Sequence, residues 1–438
     1  MKVLKFGGTS VGSANRMQHV ARLIDDGEQK IVVLSAMSGT TNMLLQASDY
    51  IKLGNLTGAA DVLNSLERKY EKETADLCMT QMMRDYVRTK LRSMFADMRS
   101  LLMQSYSLQL EKQMVSFGEL MSTFMFTAYL QEQDMDAVLM PALDFMRINA
   151  DSEPDMALTA SLLQEQLKQY GTHQIVVTQG FICLNDKGET DNLRRGGSDY
   201  SASIIGACTD AEEIQIWTDI DGMHNNDPRF VDGTVPVPQL SFEEAAELAY
   251  FGAKILHPTC ILPAKMKSIP VRLLNTLEPL APGTLISNDY KKGRIEAVAA
   301  KDGIAVVRIQ SDRMLLAYGF LSRVFSVFEQ HKTSIDLIAT SEVAVSMSID
   351  NLSQIGAIVE DLRKLGTVSF ETGLSIISVV GDLRSDNLGF EAKVVEALRD
   401  IPVRMISYGG SDHNISILVS TEHKVRALRA LSNELFEN

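Results

Sequence analysis

Residues 2–6, Lys-Val-Leu-Lys-Phe, read as a buried strand that stops at Gly7-Gly8, and residues 14–25 follow with helical spacing. Ile31-Val32-Val33-Leu34 form a second apolar run that ends at Ser35. This strand–glycine–helix–strand order predicts an α/β layered fold. Residues 56–133 are rich in Leu, Met, Glu, Lys and Arg and hold no proline, which predicts a run of helices. Short apolar runs recur at 137–140, 175–178, 214–217 and 271–274, so the first α/β unit is expected to extend to about residue 285. Pro279, Pro282 and Gly283 then punctuate the chain. Beyond about residue 295 the rhythm changes. Strand-like 304–307, a helix near 319–331, strands at 343–349 and 375–380, a helix near 390–399 and strands near 403–407 and 415–419 predict two β-α-β-β-type modules in tandem.

Composition sharpens this picture at three points. A chain of 438 residues is too long for one core, so two or three domains are expected. Lys and Arg total 42 against 56 Asp and Glu, a formal charge of -14, which disfavours nucleic acid and anionic membranes as partners. Cys78, Cys183, Cys208 and Cys260 are scattered with no Cys-x-x-Cys pair, against a disulfide framework or a zinc site. The N-terminus enters a strand pattern without a cleavable signal, and no apolar run approaches the roughly 18 residues of a membrane span. A reducing, cytoplasmic setting is expected.

Five stretches could carry chemistry. In Lys5-Phe6-Gly7-Gly8-Thr9-Ser10, a strand delivers a lysine to a loop whose amides and hydroxyls can donate to phosphate oxygens. The same pattern fits a plain glycine turn beside a surface lysine; no Walker P-loop or Gly-x-Gly-x-x-Gly occurs in this stretch. Arg194-Arg195-Gly196-Gly197-Ser198-Asp199 precedes a helical pattern that Ser198 or Asp199 could cap, and an arginine there could grip a carboxylate; a basic surface loop is the alternative. Trp217-Thr218-Asp219-Ile220-Asp221-Gly222, leading to Asp227-Pro228-Arg229, puts carboxylates and hydroxyls at a strand end, where ligands of open α/β sheets sit, although both also read as ordinary turns. Phe251 to Pro258 reads as a helix end with Lys254, which by itself could simply face the helix dipole. Glu119, after Phe117-Gly118, could partner a substrate ammonium or be a solvated first-turn acid of a Met-rich helix.

Taken together, these stretches resemble the aspartokinases, a branch of the amino-acid kinase superfamily. The resemblance rests on Lys5 to Ser10, Ser35 through Asn42, Gly118-Glu119, Arg195 to Asp199, Trp217 to Asp219, Asp227-Pro228-Arg229 and Phe251 to Pro258, in order over most of residues 1–285. It implies an αβα sandwich with a mostly parallel sheet over 1–290. Gly319-Phe320-Leu321, Ser334 through Glu342 and Met405 to Gly409 resemble tandem ACT modules, which implies two α+β ferredoxin-like regulatory modules over 295–438. In related enzymes such modules interleave, so the strand at 304–309 is expected to belong with the last one.

The resemblance also implies roles. ATP, with Mg2+ bridging its phosphates, would phosphorylate the side-chain carboxylate of aspartate, which is already ionised at neutral pH and needs no general base. Lys5 and Asp199 would be catalytic. Lys5, Phe6, Gly7, Gly8, Ser10, Thr218, Asp219, His224, Arg229, Lys254 and Ile255 would belong to the nucleotide site. Ser35, Thr41, Glu119, Arg195, Gly196, Gly197 and Ser198 would hold aspartate, with Glu119 on its ammonium and Arg195 on a carboxylate. Met314, Phe320, Leu321, Ile335, Asp336, Ser341 and Glu342 would form an effector site, lysine being the expected ligand, on a homodimer or larger assembly joined through the ACT modules. No protein-held metal is expected. Three departures from the family pattern stand out: His224 with Asn225-Asn226 where relatives have tyrosine and small hydroxyl residues, Arg194 for a glycine, and Ala317-Tyr318 for a small polar and a basic residue. A kinase of another small acid, and a catalytically dead amino-acid sensor, remain as alternatives.

Overall fold

Lys2–Phe6 (β1) is buried on both faces except at its first residue, the burial expected of a strand inside a parallel sheet. Helix α1 (Ala14–Ile24), capped by the Ser13 side chain, carries the chain to β2 (Lys30–Leu34). Helices α2 (Thr40–Lys52), α3 (Leu56–Leu77), α4 (Gln81–Leu101) and α5 (Leu108–Glu132) follow. The side chains of Asn55, Thr80 and Ser107 cap the last three, each supporting its helix by about 1 kcal/mol. Strand β3 (Ala137–Leu139), helices α6 (Ala142–Phe145) and α7 (Met156–Tyr170), and strand β4 (Ile175–Gln179) come next. A ribbon of β5 (Ile182–Leu184) and β6 (Thr190–Asn192), helix α8 (Gly197–Cys208) and strand β7 (Ile214–Thr218) lead to residue 222. These elements come from a computed structural model that describes residues 1–193, 196–252, 256–289, 293–311, 318–384 and 388–436.

The chain forms two compact units: Met1–Gly222 with Ile255–Asp289, and Met223–Lys254 with Tyr290–Asn438. Strand β8 (Gln239–Leu240) and helix α9 (Phe242–Tyr250) therefore lie in the second unit. Helix α10 (Leu262–Lys267) and strands β9 (Val271–Asn275) and β10 (Thr284–Ile286) return to the first. There the sheet runs β3-β4-β2-β1-β7-β9-β10, parallel except for the β9–β10 pair. Lys5 lies opposite Val33 on one side and Ile216 on the other, so β1 is central and its carboxyl end faces a crevice between loops.

The sequence suggested one break near residue 290; the segment 223–254 instead packs with the C-terminal part. Val231 is buried among Ile415, Ile417 and Leu428, Asn226 Nδ2 donates to the Leu428 carbonyl at 3.1 Å, and Asn414 Nδ2 donates to Glu247 at 2.6 Å. Partners some 200 residues apart leave no mark in a local pattern.

In the second unit, β11 (Ile295–Gln310), α11 (Phe320–Gln330), β12 (Ile338–Thr340), β13 (Ala344–Ile349), α12 (Ile355–Arg363), β14 (Thr367–Gly381), α13 (Phe390–Ala397), β15 (Val403–Ser407), β16 (Asn414–Ser420) and α14 (Lys424–Phe436) form one sheet, β12-β13-β11-β14-β16-β15, with helices. Two cores divide it. One gathers Ala305, Val307, Ile309, Val324 and Met347; the other gathers Val298, Ile377, Val379, Ile417 and Leu428. The interleaving thus falls one step earlier than expected. Residues 304–309 serve the first module, and the preceding half of the same strand serves the last, with register shifts between Lys301 and Val306 marking the change.

Candidate active site

The first unit brings the predicted lysine and aspartate together. Lys5 Nζ lies 2.6 Å from Asp199 Oδ1, both side chains largely buried. Asp199 stands in the first turn of α8, where Gly196, not Ser198 or Asp199, occupies the cap position with φ 73°. A Cβ on Gly196 would lie 2.6 Å from Cys260 Sγ, so only glycine fits this turn. Beyond Lys5, Gly7 N donates to the Trp217 carbonyl at 3.2 Å and Ser38 N to the Gly8 carbonyl at 3.1 Å. Phe6 itself is buried, stacks on Trp217 at 5.7 Å and accepts at its carbonyl from Ser35 N at 3.2 Å, so it supports the loop from within the sheet.

A cleft of about 530 Å³, within the usual range of ligand sites, is lined by Lys5, Gly8, Ser35, Thr41, Glu119, Gly196, Gly197, Ser198 and Asp199. Seven of the first-unit residues expected at aspartate or phosphate thus share one cavity with the lysine–aspartate pair. Glu119 is not a solvated first-turn acid. It sits in the middle of α5, 3% exposed, one carboxylate oxygen accepting from Ala36 N at 3.1 Å and the other without a partner. Burial pushes its carboxyl up to about 8. An orphaned buried acceptor costs on the order of 1–3 kcal/mol, which a bound cation would recover. Close packing fixes this stretch of helix: a Cβ on Gly118 would lie 2.8 Å from that of Ala36.

Sequence reading missed three residues here. Phe181 lines the cleft with φ 70°, a strained backbone for a bulky residue, held by its N–H donating to Ser201 Oγ at 2.8 Å and its carbonyl accepting from Leu193 N at 2.7 Å. Lys69 donates to the Ser38 carbonyl at 2.6 Å, and Asn192 also lines the cleft. Nothing local marks them; each acts through a neighbour distant in sequence.

Ser10, Thr218 and Asp219 line a second, smaller cleft of about 180 Å³ with Arg16, His19 and Thr276. Ser10 Oγ is 2.7 Å from Thr276 Oγ1, and the His19 ring donates to the Thr276 carbonyl at 2.7 Å. His224 and Arg229 belong to the second unit. His224 Nδ1 is 3.0 Å from Thr234 Oγ1, and Arg229 pairs with Asp227 at 2.6 Å. Asn225 and Asn226 are buried, and their side chains hold Val235 N and the Leu428 carbonyl. Arg194, Arg195, Lys254, Ile255, Met314 and Ala317 lie outside the described residues.

Of the effector residues, Phe320 is buried in the first module's core and Ile335 packs against it, whereas Leu321, Ser341 and Glu342 are at the surface. The Asp336 side chain is buried and already engaged. Tyr250 donates its hydroxyl to Asp336 Oδ1, and Lys301 Nζ lies 3.7 Å from the same oxygen, 2.8 Å from Asp350 and 4.4 Å from the Tyr250 ring centre.

A lysine–aspartate pair, two glycine loops and a buried acid thus share one crevice at the carboxyl ends of a mostly parallel sheet. Residues 1–275 match the amino acid kinase family, and the chain belongs to it; residues 377–435 match the ACT domain. Within that family the chain is an aspartokinase, an enzyme that phosphorylates aspartate with ATP. It is 34% identical to lysine-sensitive aspartokinase 3 of Escherichia coli over 99% of each chain. The structure of E. coli aspartokinase III with aspartate and ADP superposes with a TM-score of 0.88 at 33% identity, covering all of both chains. The same enzyme with lysine and aspartate gives 0.82 at 34%, again over all of both chains.

Proposed function

We propose that the larger cleft holds aspartate against the γ-phosphate of Mg–ATP, and that catalysis there rests on positioning and positive charge. Both reactants are anions, so the barrier is electrostatic. An oxygen of the aspartate side-chain carboxylate attacks the γ-phosphorus, the bond to the β,γ-bridging oxygen breaks, and ADP leaves with the electron pair. No proton moves. Lys5 directs its charge at the transferring group, and Asp199, 2.6 Å away, holds it there. The amide of Gly8 donates to a phosphate oxygen, while that of Gly7, engaged by the Trp217 carbonyl, holds the loop in place. Glu119 takes the substrate ammonium and Arg195 a carboxylate, with Ser35, Thr41 and Ser198 adding polar contacts. Mg2+ bound to the ATP phosphates would add to the positive charge at the transferring group.

The observation that carries this reading is the buried Glu119 carboxylate, one oxygen unpartnered, in the same cleft as Lys5 and Asp199. A coupled assay of ADP release over a panel of amino acids tests it. Aspartate alone should support turnover, and Glu119→Gln should raise the KM for aspartate far more than that for ATP. The reverse split would reassign Glu119.

Lysine is the proposed effector of the ACT modules, held near Asp336 on a homodimer or larger assembly; the lysine-bound E. coli relative supports this. Inhibition requires lysine to favour the less active state. Turnover unchanged by millimolar lysine, with no heat of binding, would sink it.

A further inference from the structure

Glu119 Oε2 has a counterpart in the cleft. Asn192 Oδ1 is also buried without a hydrogen-bond partner, and Asn192 lines the same cavity. Asp199 Oδ1 has no aligned hydrogen bond either, but the Lys5 ammonium stands 2.6 Å from it. Asn192 Oδ1 is an acceptor, and so is Glu119 Oε2 once its carboxyl ionises, so a cation that donates to both would complete them together.

Asn192 is fixed by bonds that do not use its side-chain oxygen. It ends β6, which is tied to α5, the helix that bears Glu119. Gln109 Nε2 donates to the Thr190 carbonyl at 2.6 Å, and Lys112 pairs with Asp191 at 2.6 Å. The Asn192 N–H donates to Asp191 Oδ1 at 2.7 Å, and Leu193 N donates to the Phe181 carbonyl at 2.7 Å. The backbone is held on both sides, and the amide oxygen is left for something else.

Aspartate ionised at neutral pH carries one group that donates, its α-ammonium, with three N–H bonds. We infer that Asn192 is a substrate-binding residue whose Oδ1 receives the α-ammonium of aspartate jointly with Glu119 Oε2. This rests on the reading of Glu119 given above. A neutral amide suits the place. Its oxygen is an acceptor that adds no net charge to the cleft. The pair would select an α-amino acid over the same dicarboxylate without its amine.

Steady-state kinetics at saturating ATP test this, with succinate as a competitive probe that lacks the ammonium. Asn192→Ala should raise the aspartate KM about tenfold, the loss expected for a hydrogen bond to a charged group, and leave the ATP KM within about twofold. Succinate inhibition should be unchanged, because succinate never used the amide. Asn192→Asp keeps the acceptor and should give a lower aspartate KM than alanine. An unchanged aspartate KM in Asn192→Ala, an equal loss of succinate binding, or Asn192→Asp binding aspartate worse than Asn192→Ala would each overturn the assignment. Should the alanine variant not fold, Asn192→Asp against wild type decides: a KM within about threefold sustains it and a larger rise overturns it. Glu119→Gln run in parallel separates the two readings. If it leaves the aspartate KM unchanged, both fall; if it raises the KM while Asn192→Ala does not, only the role of Asn192 falls.

Discussion

At the scale of single residues, Lys5 and Glu119 illustrate opposite uses of burial. Asp199 holds the Lys5 ammonium at 2.6 Å, so on the proposed reading its charge is already positioned. Lys5→Met keeps the stem and removes the charge; kcat should fall about 10²–10³-fold while both KM values move much less. A turnover near that of wild type would end the assignment. Glu119 is the reverse, a carboxyl that burial pushes up to about 8 and that, on the proposed reading, ionises when the substrate ammonium binds. Ammonium binding then releases a proton, so the aspartate KM should fall as pH rises from about 6 and level off above about 8. Glu119→Gln should flatten that slope. The stability sign follows from the same shift. The folded state retains a proton that the unfolded chain loses above 4.5, so stability from this group is full below 4.5 and is lost as pH rises through about 8. Glu119→Gln should therefore melt higher than wild type at pH 8.5, and urea titrations at pH 5 and 8.5 check it.

At the scale of elements, the glycine loop after β1 is set by contact with the turn after β2. A Cβ on Gly8 would meet the Ala36 carbonyl oxygen at 2.8 Å, and backbone cannot yield as a flexible side chain can. Gly8→Ala should cost about 1–3 kcal/mol in urea unfolding and depress turnover through the displaced 35–39 turn. An unchanged midpoint would show that the two turns are not in register. In the second unit, the end of α9 is tied to Asp336 by the Tyr250 hydroxyl, with Lys301 beside it. If Asp336 receives an effector ammonium, these groups compete for it. Tyr250→Phe should then lower the half-inhibitory lysine concentration about tenfold with basal turnover intact, and Asp336→Ala should abolish inhibition. A lysine response that Tyr250→Phe leaves unchanged or weakens would separate Tyr250 from regulation.

At the scale of the molecule, the segment 223–254 leaves the first unit's chain order and builds part of the second unit's core. A chain ending at Asp289 would strip partners from Val231, Asn226, Glu247 and Tyr250. Burial of a valine alone is worth about 1.5–3 kcal/mol. The shortened chain should therefore aggregate or melt well below the full protein in scanning calorimetry. A soluble product that melts with the full chain would show that segment 223–254 folds without the C-terminal part.

Local pattern determined most of the elements. The apolar runs at 2–6, 31–34, 175–178, 214–217 and 271–274 became sheet strands because a strand buried on both faces must be apolar almost throughout. The glycine-rich loops with Lys5 and Asp199 were legible for a similar reason: few residue types allow so close an approach of the backbone as Gly8 and Gly196 require. Helices α12 and α14 escaped, being amphipathic stretches without a strong start signal. Tertiary structure alone decided the rest. It settled that Lys5 meets Asp199, that Glu119 is buried with an oxygen to spare, that Phe181 and Asn192 line the cleft, and that Asp336 already has Tyr250 and Lys301 as neighbours. Each of these is a contact between residues dozens to hundreds of positions apart. Burial, and the charge state that follows from it, is a property of such contacts and not of the residues that make them.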